Sequence, residues 1–185
     1  MLYPLSYGGE GGYSTEMNSA SEARRLLIVW WSRTGASRQL AEAAVAAARL
    51  QEDVQTLIQR CDETSPEDLL GAAGYLFVAP ENLASLAGMM KEFFDRCYYP
   101  VLDRVNGRPY AQIISAGSDG QGAARQLARI ATGWRLRAVS EPMIVNVSAQ
   151  TPAEILAPKH LSELQLQPAS ELGAALAAGI AMGVW

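Results

Sequence analysis

Short apolar runs alternate with helical patterns along most of this chain, and this alternation restricts the possible folds more than any other feature. Residues 24–31 (RRLLIVWW) form a continuous apolar run, which is typical of a strand buried on both faces of a parallel sheet. The other predicted strands are residues 53–59, 74–80, 110–116 and 137–145. Strands that alternate with helices favour a mostly parallel sheet with helices on both faces. The sequence therefore predicts an α/β fold with a doubly wound, five-stranded parallel sheet in three layers.

Helical patterns occupy the segments between and after these strands. The predicted helices are residues 37–50, 65–73, 86–102, 120–134 and 169–182. Residues 146–167 have no clear period and are predicted to be irregular. Residues 1–23 are rich in glycine and serine and are predicted to be a disordered extension, followed by a single domain at 24–185.

Composition argues against several classes of function. The chain carries 15 basic and 19 acidic residues, whereas a nucleic-acid-binding protein would show a basic surface. No apolar run is long enough to cross a bilayer. One histidine and two cysteines without a C-x-x-C motif argue against a metal site built on these ligands. Cys61 and Cys97 are expected to be buried thiols in a cytoplasmic protein, since no secretory signal pattern is present.

The segment 32–37 (SRTGAS), which joins the first predicted strand to the first helix, carries the strongest functional signal. The N-terminus of a helix has unpaired N–H groups and a partial positive charge. Three hydroxyl side chains and Gly35 in this segment would let the backbone approach a phosphate closely. A plain helix cap at Ser37 with no ligand explains the same residues, and the turn alone does not separate the two interpretations.

Two better-known phosphate motifs are absent from the sequence. The chain has no G-x-x-x-x-G-K-[ST], which excludes a P-loop nucleotide hydrolase, and no G-x-G-x-x-G after the first strand, which a Rossmann dinucleotide site requires. The SRTGAS segment therefore has to be interpreted in another context.

Three segments at predicted strand ends resemble loops of the flavodoxin-like superfamily. SRTGAS resembles its phosphate loop, commonly S-x-T-G-N-T. Residues 79–96 (APENLASLAGMMKEFFDR) resemble the loop and helix after the third strand of flavodoxin-like oxidoreductases. Residues 106–111 (NGRPYA) and 113–122 (IISAGSDGQG) resemble the approach to the fourth strand and the loop after it. The resemblance extends over roughly residues 25–182 and implies the flavodoxin-like fold.

The resemblance also implies bound FMN, and it assigns three groups of residues to it. The residues expected around the phosphate are Ser32, Arg33, Thr34, Gly35, Ala36 and Ser37. Those expected beside the isoalloxazine ring are Pro80, Glu81, Asn82, Leu83 and Ser85. Those expected to close the other side of the ring are Ala116, Gly117, Ser118, Asp119 and Gly122. Ala36 stands where the family usually has asparagine, and neither ring loop has an obvious stacking aromatic residue, because Trp31 and Trp134 are expected to be packing residues.

Three functions remain open at this point. The first is an oxidoreductase that passes electrons from NAD(P)H through FMN to a quinone or similar small acceptor, with no catalytic side chain assigned. The second is a flavodoxin-type carrier that exchanges electrons with a redox protein and has no substrate of its own. The third and most remote is a serine hydrolase, with Ser118 in a G-x-S-x-G-like turn followed by Glu154 and His160. A homo-oligomer is compatible with each of them.

Overall fold

The computed structural model describes residues 24–185, so the extension predicted at residues 1–23 lies outside the described residues. The strands are β1 (Arg24–Trp30), β2 (Val54–Arg60), β3 (Gly74–Asn82), β4 (Ser85–Leu86), β5 (Pro109–Ala116), β6 (Arg137–Ala138) and β7 (Met143–Asn146). The helices are α1 (Ala36–Ala48), α2 (Pro66–Leu70), α3 (Gly88–Val101), α4 (Gln121–Gly133), α5 (Pro152–Leu156) and α6 (Glu163–Met182).

The sheet has five parallel positions, in the order β2-β1-β3-β5 and then β6 with β7. Both β6 and β7 pair in parallel with β5, and only the short β4 runs antiparallel, against the end of β3. The strand order changes direction between β1 and β3, and open α/β sheets bind ligands beyond the carboxyl ends of strands at such a point. The predicted fold class is confirmed, and it places the candidate site at the ends of β1, β3 and β5.

Both faces of the sheet are buried, because alternate side chains of each central strand enter two different cores. Leu26 and Ile28 of β1 pack with α1 and α6, whereas Leu27 and Val29 pack on the side of α2, α3 and α4. The first core is aliphatic and rich in alanine. The second contains a cluster of aromatic rings: Tyr75, Phe77, Phe93, Phe94 and Trp134. The apolar run of β1 therefore fills two cores at once, as a three-layer architecture requires.

The second core accounts for two expectations about individual side chains. Trp134 is fully buried and donates a hydrogen bond from Nε1 to the Tyr98 carbonyl, so its packing role is confirmed. Cys61 and Cys97 are buried free thiols, as expected. Burial raises the pKa of Cys61 to about 12 and that of Cys97 to about 11. Both thiols therefore stay protonated near neutral pH.

Two sequence-based boundaries on the β5 side of the sheet are wrong. The strand expected at residues 137–145 is two short strands, with Pro142 between them. Proline has no N–H to donate to the ladder, which explains the gap. The third strand does not end at Pro80 either, because β3 continues to Asn82 and pairs with β4.

The segment 146–167 is not irregular throughout. It contains α5, and α6 begins at Glu163, ahead of the predicted start at residue 169. Thr151 and Ser162 cap these two helices through capping boxes with Glu154 and Gln165. Within residues 24–185, no helix combines the length and the apolar character that crossing a membrane would need.

Candidate functional site

Three loops meet at the carboxyl ends of β1, β3 and β5 and enclose a cavity of about 390 Å³, here called the main cavity. Its lining includes many of the residues named from the sequence: Arg33, Thr34, Ala36, Pro80, Glu81, Asn82, Leu83, Ala116, Gly117 and Ser118. The fold thus brings together members of all three predicted groups, although they come from segments more than thirty residues apart in the chain.

Several backbone N–H groups of the SRTGAS loop (residues 32–37) have no hydrogen-bond acceptor in the described part of the chain. Gly35, at φ +99°, is the N-cap of α1, and its amide donates to the Ser32 Oγ at 3.0 Å. Among the described residues, the amides of Thr34, Ala36 and Ser37 have no hydrogen-bond acceptor. These groups lie at the positive end of a 13-residue helix, so the loop offers the donors that an anion needs.

Ser37 is not the helix cap. It lies one residue inside α1, it is fully buried, and its Oγ is 2.8 Å from the Oγ of Ser115 at the end of β5. The interpretation of SRTGAS as a plain cap at Ser37 is therefore wrong. The Ser37 hydroxyl instead joins α1 to β5 beneath the main cavity.

The carbonyl side of the SRTGAS loop is tied to the C-terminal third of the chain. The Lys159 amide donates to the Thr34 carbonyl at 2.7 Å. Gln39 in α1 donates to the Lys159 carbonyl at 2.7 Å and accepts from the Leu161 amide at 3.0 Å. These bonds hold the loop in place and do not use the amides of Thr34, Ala36 and Ser37.

The wall formed by the end of β3 is built differently. Its two-residue turn to β4 consists of Leu83 and Ala84, which have φ values of 52° and 58°. Glu81 accepts hydrogen bonds from the amides of Gly120 and Ala123 at 2.9 and 3.0 Å, and so caps α4 from another element. The carboxylate of Glu81 is therefore used to hold the wall in place.

Several predicted residues lie outside the main cavity. Ser32 and Gly35 line only the neighbouring cavity described below, and Asp119 lines neither of the two. Ser85 donates from its Oγ to Gln126 of α4 at 2.7 Å, which makes it a packing residue. A Cβ on Gly122 would lie 2.1 Å from the Ala84 carbonyl oxygen, so Gly122 allows α4 to approach the β3–β4 turn. Ser85 and Gly122 therefore serve the packing of α4 against the end of β3.

The segment after β7 contributes to the main cavity residues that the sequence did not predict. These are Val147, Ala149, Ile155 and Lys159. The Val147 and Ala149 amides donate to the Ala116 and Gly117 carbonyls at 2.8 and 3.1 Å, which continues the β5–β7 pairing beyond the sheet. The capping box T-P-A-E at 151–154 was the local signal that could have revealed α5. None of the described residues that line the main cavity is aromatic.

A second cavity of about 430 Å³, here called the arginine cavity, lies across the SRTGAS loop on the β2 side. It shares Arg33 and Thr34 with the main cavity. Its other lining residues include Trp31, Arg38 and Arg60. The two cavities therefore meet at the same short loop.

The described part of the chain does not support a serine hydrolase site built on Ser118, Glu154 and His160. Glu154 accepts from the Thr151 and Gln150 amides, and these hydrogen bonds hold the pKa of its carboxyl below the ordinary value. No hydrogen bond joins Ser118 Oγ, His160 and Glu154 within residues 24–185. The same residues contain no group of three or more His, Cys, Asp or Glu side chains that could hold a metal ion.

Comparison with known proteins agrees with this architecture. A family model described as NADPH-dependent FMN reductase matches residues 63–151. The structure of a flavodoxin from the domain Archaea superposes with a TM-score of 0.65 at 15% identity, covering 84% of this chain and 98% of that one. This chain has the flavodoxin-like fold. Oxidised flavodoxin 1 from Bacillus cereus superposes with a TM-score of 0.67 at 18% identity, covering 83% and 97% of the two chains.

The chain also resembles one curated protein in sequence. A flavodoxin from Aquifex aeolicus (strain VF5) is 29% identical over 98 residues, which make up 53% of this chain and 53% of that protein. The match thus spans about half the length of the curated relative.

Proposed function

We propose that this protein binds FMN in the main cavity and uses it to pass electrons from NAD(P)H to a quinone or similar small acceptor. The observation that carries the proposal is the SRTGAS loop, in which the Thr34, Ala36 and Ser37 amides lack acceptors among the described residues and which borders a cavity of about 390 Å³. The match to the NADPH-dependent FMN reductase model supports it, because residues 63–151 include both the β3 wall and the loop after β5.

The SRTGAS loop would hold the phosphate ester of FMN. Unpaired amides at the start of α1 and the Thr34 hydroxyl supply hydrogen-bond donors, and the helix dipole adds a favourable field. The side chain of Arg33 lines the same cavity and is exposed, so it adds a positive charge beside the dianion. Ala36 contributes only its amide, and the loop therefore relies on the backbone more than the common family loop does.

The remaining lining would hold the flavin ring. Leu83, Val147 and Ile155 are apolar side chains that exclude water from a planar ring without stacking an aromatic group on it. The amides of Gly117 and Ser118 have no acceptor among the described residues, so they can donate to the polar edge of the ring. Bound FMN would supply the chemistry, as acceptor of a hydride and then donor of electrons.

The charges around the main cavity favour a reductase over an electron carrier. Its one acidic lining side chain, within the described residues, is Glu81, and both oxygens of that carboxylate already accept hydrogen bonds from α4. Arg33 and Lys159 give the same lining two basic side chains. This balance suits an anionic dinucleotide, whereas electron-carrier flavodoxins are typically acidic around the flavin.

Titration of FMN fluorescence with purified protein tests the binding step, and steady-state oxidation of NADH and NADPH tests the reaction. We expect quenching of the fluorescence and NAD(P)H oxidation that depends on an added quinone. Oxidation that requires a separate flavodoxin reductase would instead establish the carrier function. No FMN binding at high micromolar protein would overturn both.

A further inference from the structure

We propose that residues 150–158, here called the α5 strap, form a lid that closes on the main cavity once FMN has bound. The inference rests on the proposed function, because that function supplies the ligand. It goes further in giving the site a moving part, which sets how fast the ligand enters and leaves.

The α5 strap is a self-contained unit on the protein surface. Every residue in it is exposed. The Glu154 carboxylate accepts from the Gln150 and Thr151 amides, both at 2.9 Å. The hydrogen bonds of the strap run within it or to Lys159, and none reaches another part of the described chain. Movement of the strap as a unit therefore breaks no such bond and uncovers little apolar surface.

Firm anchors flank the α5 strap on both sides. Before it, the Ala149 amide donates to the Gly117 carbonyl at 3.1 Å, and a Cβ on Gly117 would lie 2.8 Å from the Ala149 carbonyl oxygen. After it, the Lys159 amide donates to the Thr34 carbonyl at 2.7 Å, and the Lys159 carbonyl accepts from Gln39 at 2.7 Å. An exposed segment held at both ends can hinge over a site without leaving it, as lids do.

The Lys159 side chain holds the C-terminal end of the strap. Its Nζ donates to the carbonyls of Glu154, Ile155 and Ala157 at 2.6, 3.2 and 2.6 Å. A positive charge stabilises the C-terminal carbonyls of a helix, so α5 keeps its shape as the strap moves. Because the amide of the same residue is bonded to Thr34, Lys159 also joins the strap to the SRTGAS loop.

Two exposed apolar side chains of the strap supply the reason for closure. Ile155 lines the main cavity and Leu156 lines the arginine cavity, and they are 50% and 59% exposed. Neither belongs to a hydrophobic core of the described chain. A ligand shifts a conformational equilibrium only when it binds one state more tightly than the other. A flavin in the main cavity gives Ile155 an apolar surface to cover, so the filled cavity favours the closed state.

Helix α2 (Pro66–Leu70) is a matched reference within the same chain. Like α5, it has five residues, a proline in its first turn and a capping box, here from Ser65. Its Leu69 is fully buried, and the Leu69 carbonyl accepts from Tyr75 Oη at 2.7 Å and from Arg108 Nη1 at 2.9 Å. A short capped helix in this fold is therefore not mobile by nature, and α5 differs in having no such attachment.

Amide hydrogen exchange tests the inference, by mass spectrometry of peptides that cover the α5 strap and α2, in the free protein and at saturating FMN. We expect the strap to exchange fast in the free protein and at least about tenfold more slowly with FMN, whereas α2 exchanges slowly in both. Ile155→Ser should speed FMN release at least about threefold in stopped-flow fluorescence. Leu164→Ser, at another exposed apolar residue, is the control and should leave the release rate unchanged.

The other outcomes separate the lid from the proposed function. Slow exchange of the strap in the free protein, or equal exchange with and without FMN, would show a fixed wall and overturn the lid while the proposed function stands. Equal protection of the strap and α2 by FMN would show general stabilisation and would also overturn the lid, as would equal release rates in Ile155→Ser and Leu164→Ser. No FMN binding in the fluorescence titration would overturn the proposed function, and the lid with it.

Discussion

The SRTGAS loop and the β3–β4 turn form opposite walls of the main cavity, and they use their polar groups in contrasting ways. Three amides of the SRTGAS loop are left without acceptors in the described chain, whereas the Glu81 and Ser85 side chains of the β3 wall are paired with α4. The first wall takes its positive φ at a glycine, Gly35, and the second at Leu83 and Ala84. The SRTGAS loop therefore has donors available for a ligand, whereas the polar side chains of the β3 wall stabilise the protein itself.

This difference shows that neighbouring residues at the carboxyl edge of a sheet need not share a function. A charged residue such as Glu81 resembles a ligand-binding group in the sequence, but its oxygens are occupied by Gly120 and Ala123. A substitution in the SRTGAS loop should therefore change ligand affinity, while one in the β3 wall should first change stability.

The largest effect is expected from Thr34→Glu, which places a carboxylate among the loop amides. Loss of one hydrogen bond to a charged group costs about 1.5–3 kcal/mol, and repulsion between the carboxylate and the phosphate adds to this. FMN affinity should fall at least about tenfold, while riboflavin, which has no phosphate, should bind both proteins equally and weakly. Paired fluorescence titrations measure both ligands, and the neutral variant Thr34→Gln is the control.

Two results would contradict this prediction. Equal losses for FMN and riboflavin would show that the loop contacts the ring or that the variant is misfolded. No loss for either ligand would mean that the SRTGAS loop binds no phosphate.

A smaller effect, mainly on stability, is expected from Glu81→Gln. An amide can accept from only one of the two N–H groups that the carboxylate now serves, and the negative charge at the N-terminus of α4 is lost. The free energy of unfolding should fall by about 1.5–3 kcal/mol, as measured by urea denaturation. Glu63→Gln, at an exposed position, should change it by less than about 0.5 kcal/mol. An unchanged midpoint for Glu81→Gln would show that its bonds to α4 do not stabilise the wall.

The smallest effect is expected from Leu83→Asn, which should stabilise the protein. Leu83 is fully exposed with φ at 52°, a conformation that costs a leucine roughly 1–2 kcal/mol and an asparagine less. Leu50→Asn replaces another exposed leucine that has no positive φ, so it serves as the matched control. We expect a gain of about 0.5–1 kcal/mol for Leu83→Asn relative to this control, seen as a higher Tm. A lower Tm than the control would place a stabilising apolar contact at Leu83.

The sequence predicted those features that depend on local pattern. Apolar runs and helical periods located the sheet and the order of its elements, because burial on two faces leaves a period that can be read directly. The start of α6 was missed because Pro168 lies within the helix, and α5 because none of its residues is buried.

The partners of individual polar groups were not predictable in the same way. Ser37 carries the signature of a helix cap, but its partner is Ser115, 78 residues away. Glu81 and Gly122 lie at family positions, but their neighbours are decided by how α4 packs on the β3–β4 turn. Such contacts depend on tertiary packing, which no local pattern in the sequence encodes.

The hydrogen bonds that join Lys159 to Thr34 and to Gln39 have a consequence for biosynthesis. A ribosome makes the SRTGAS loop early, yet the residues that fix the loop from behind are synthesised about 120 positions later. Contacts of such long sequence separation form late, because the intervening chain must first be ordered. A nascent chain that ends before residue 159 would carry the whole SRTGAS segment without its support. Loading with cofactor is therefore expected only after the C-terminal segment has left the ribosome.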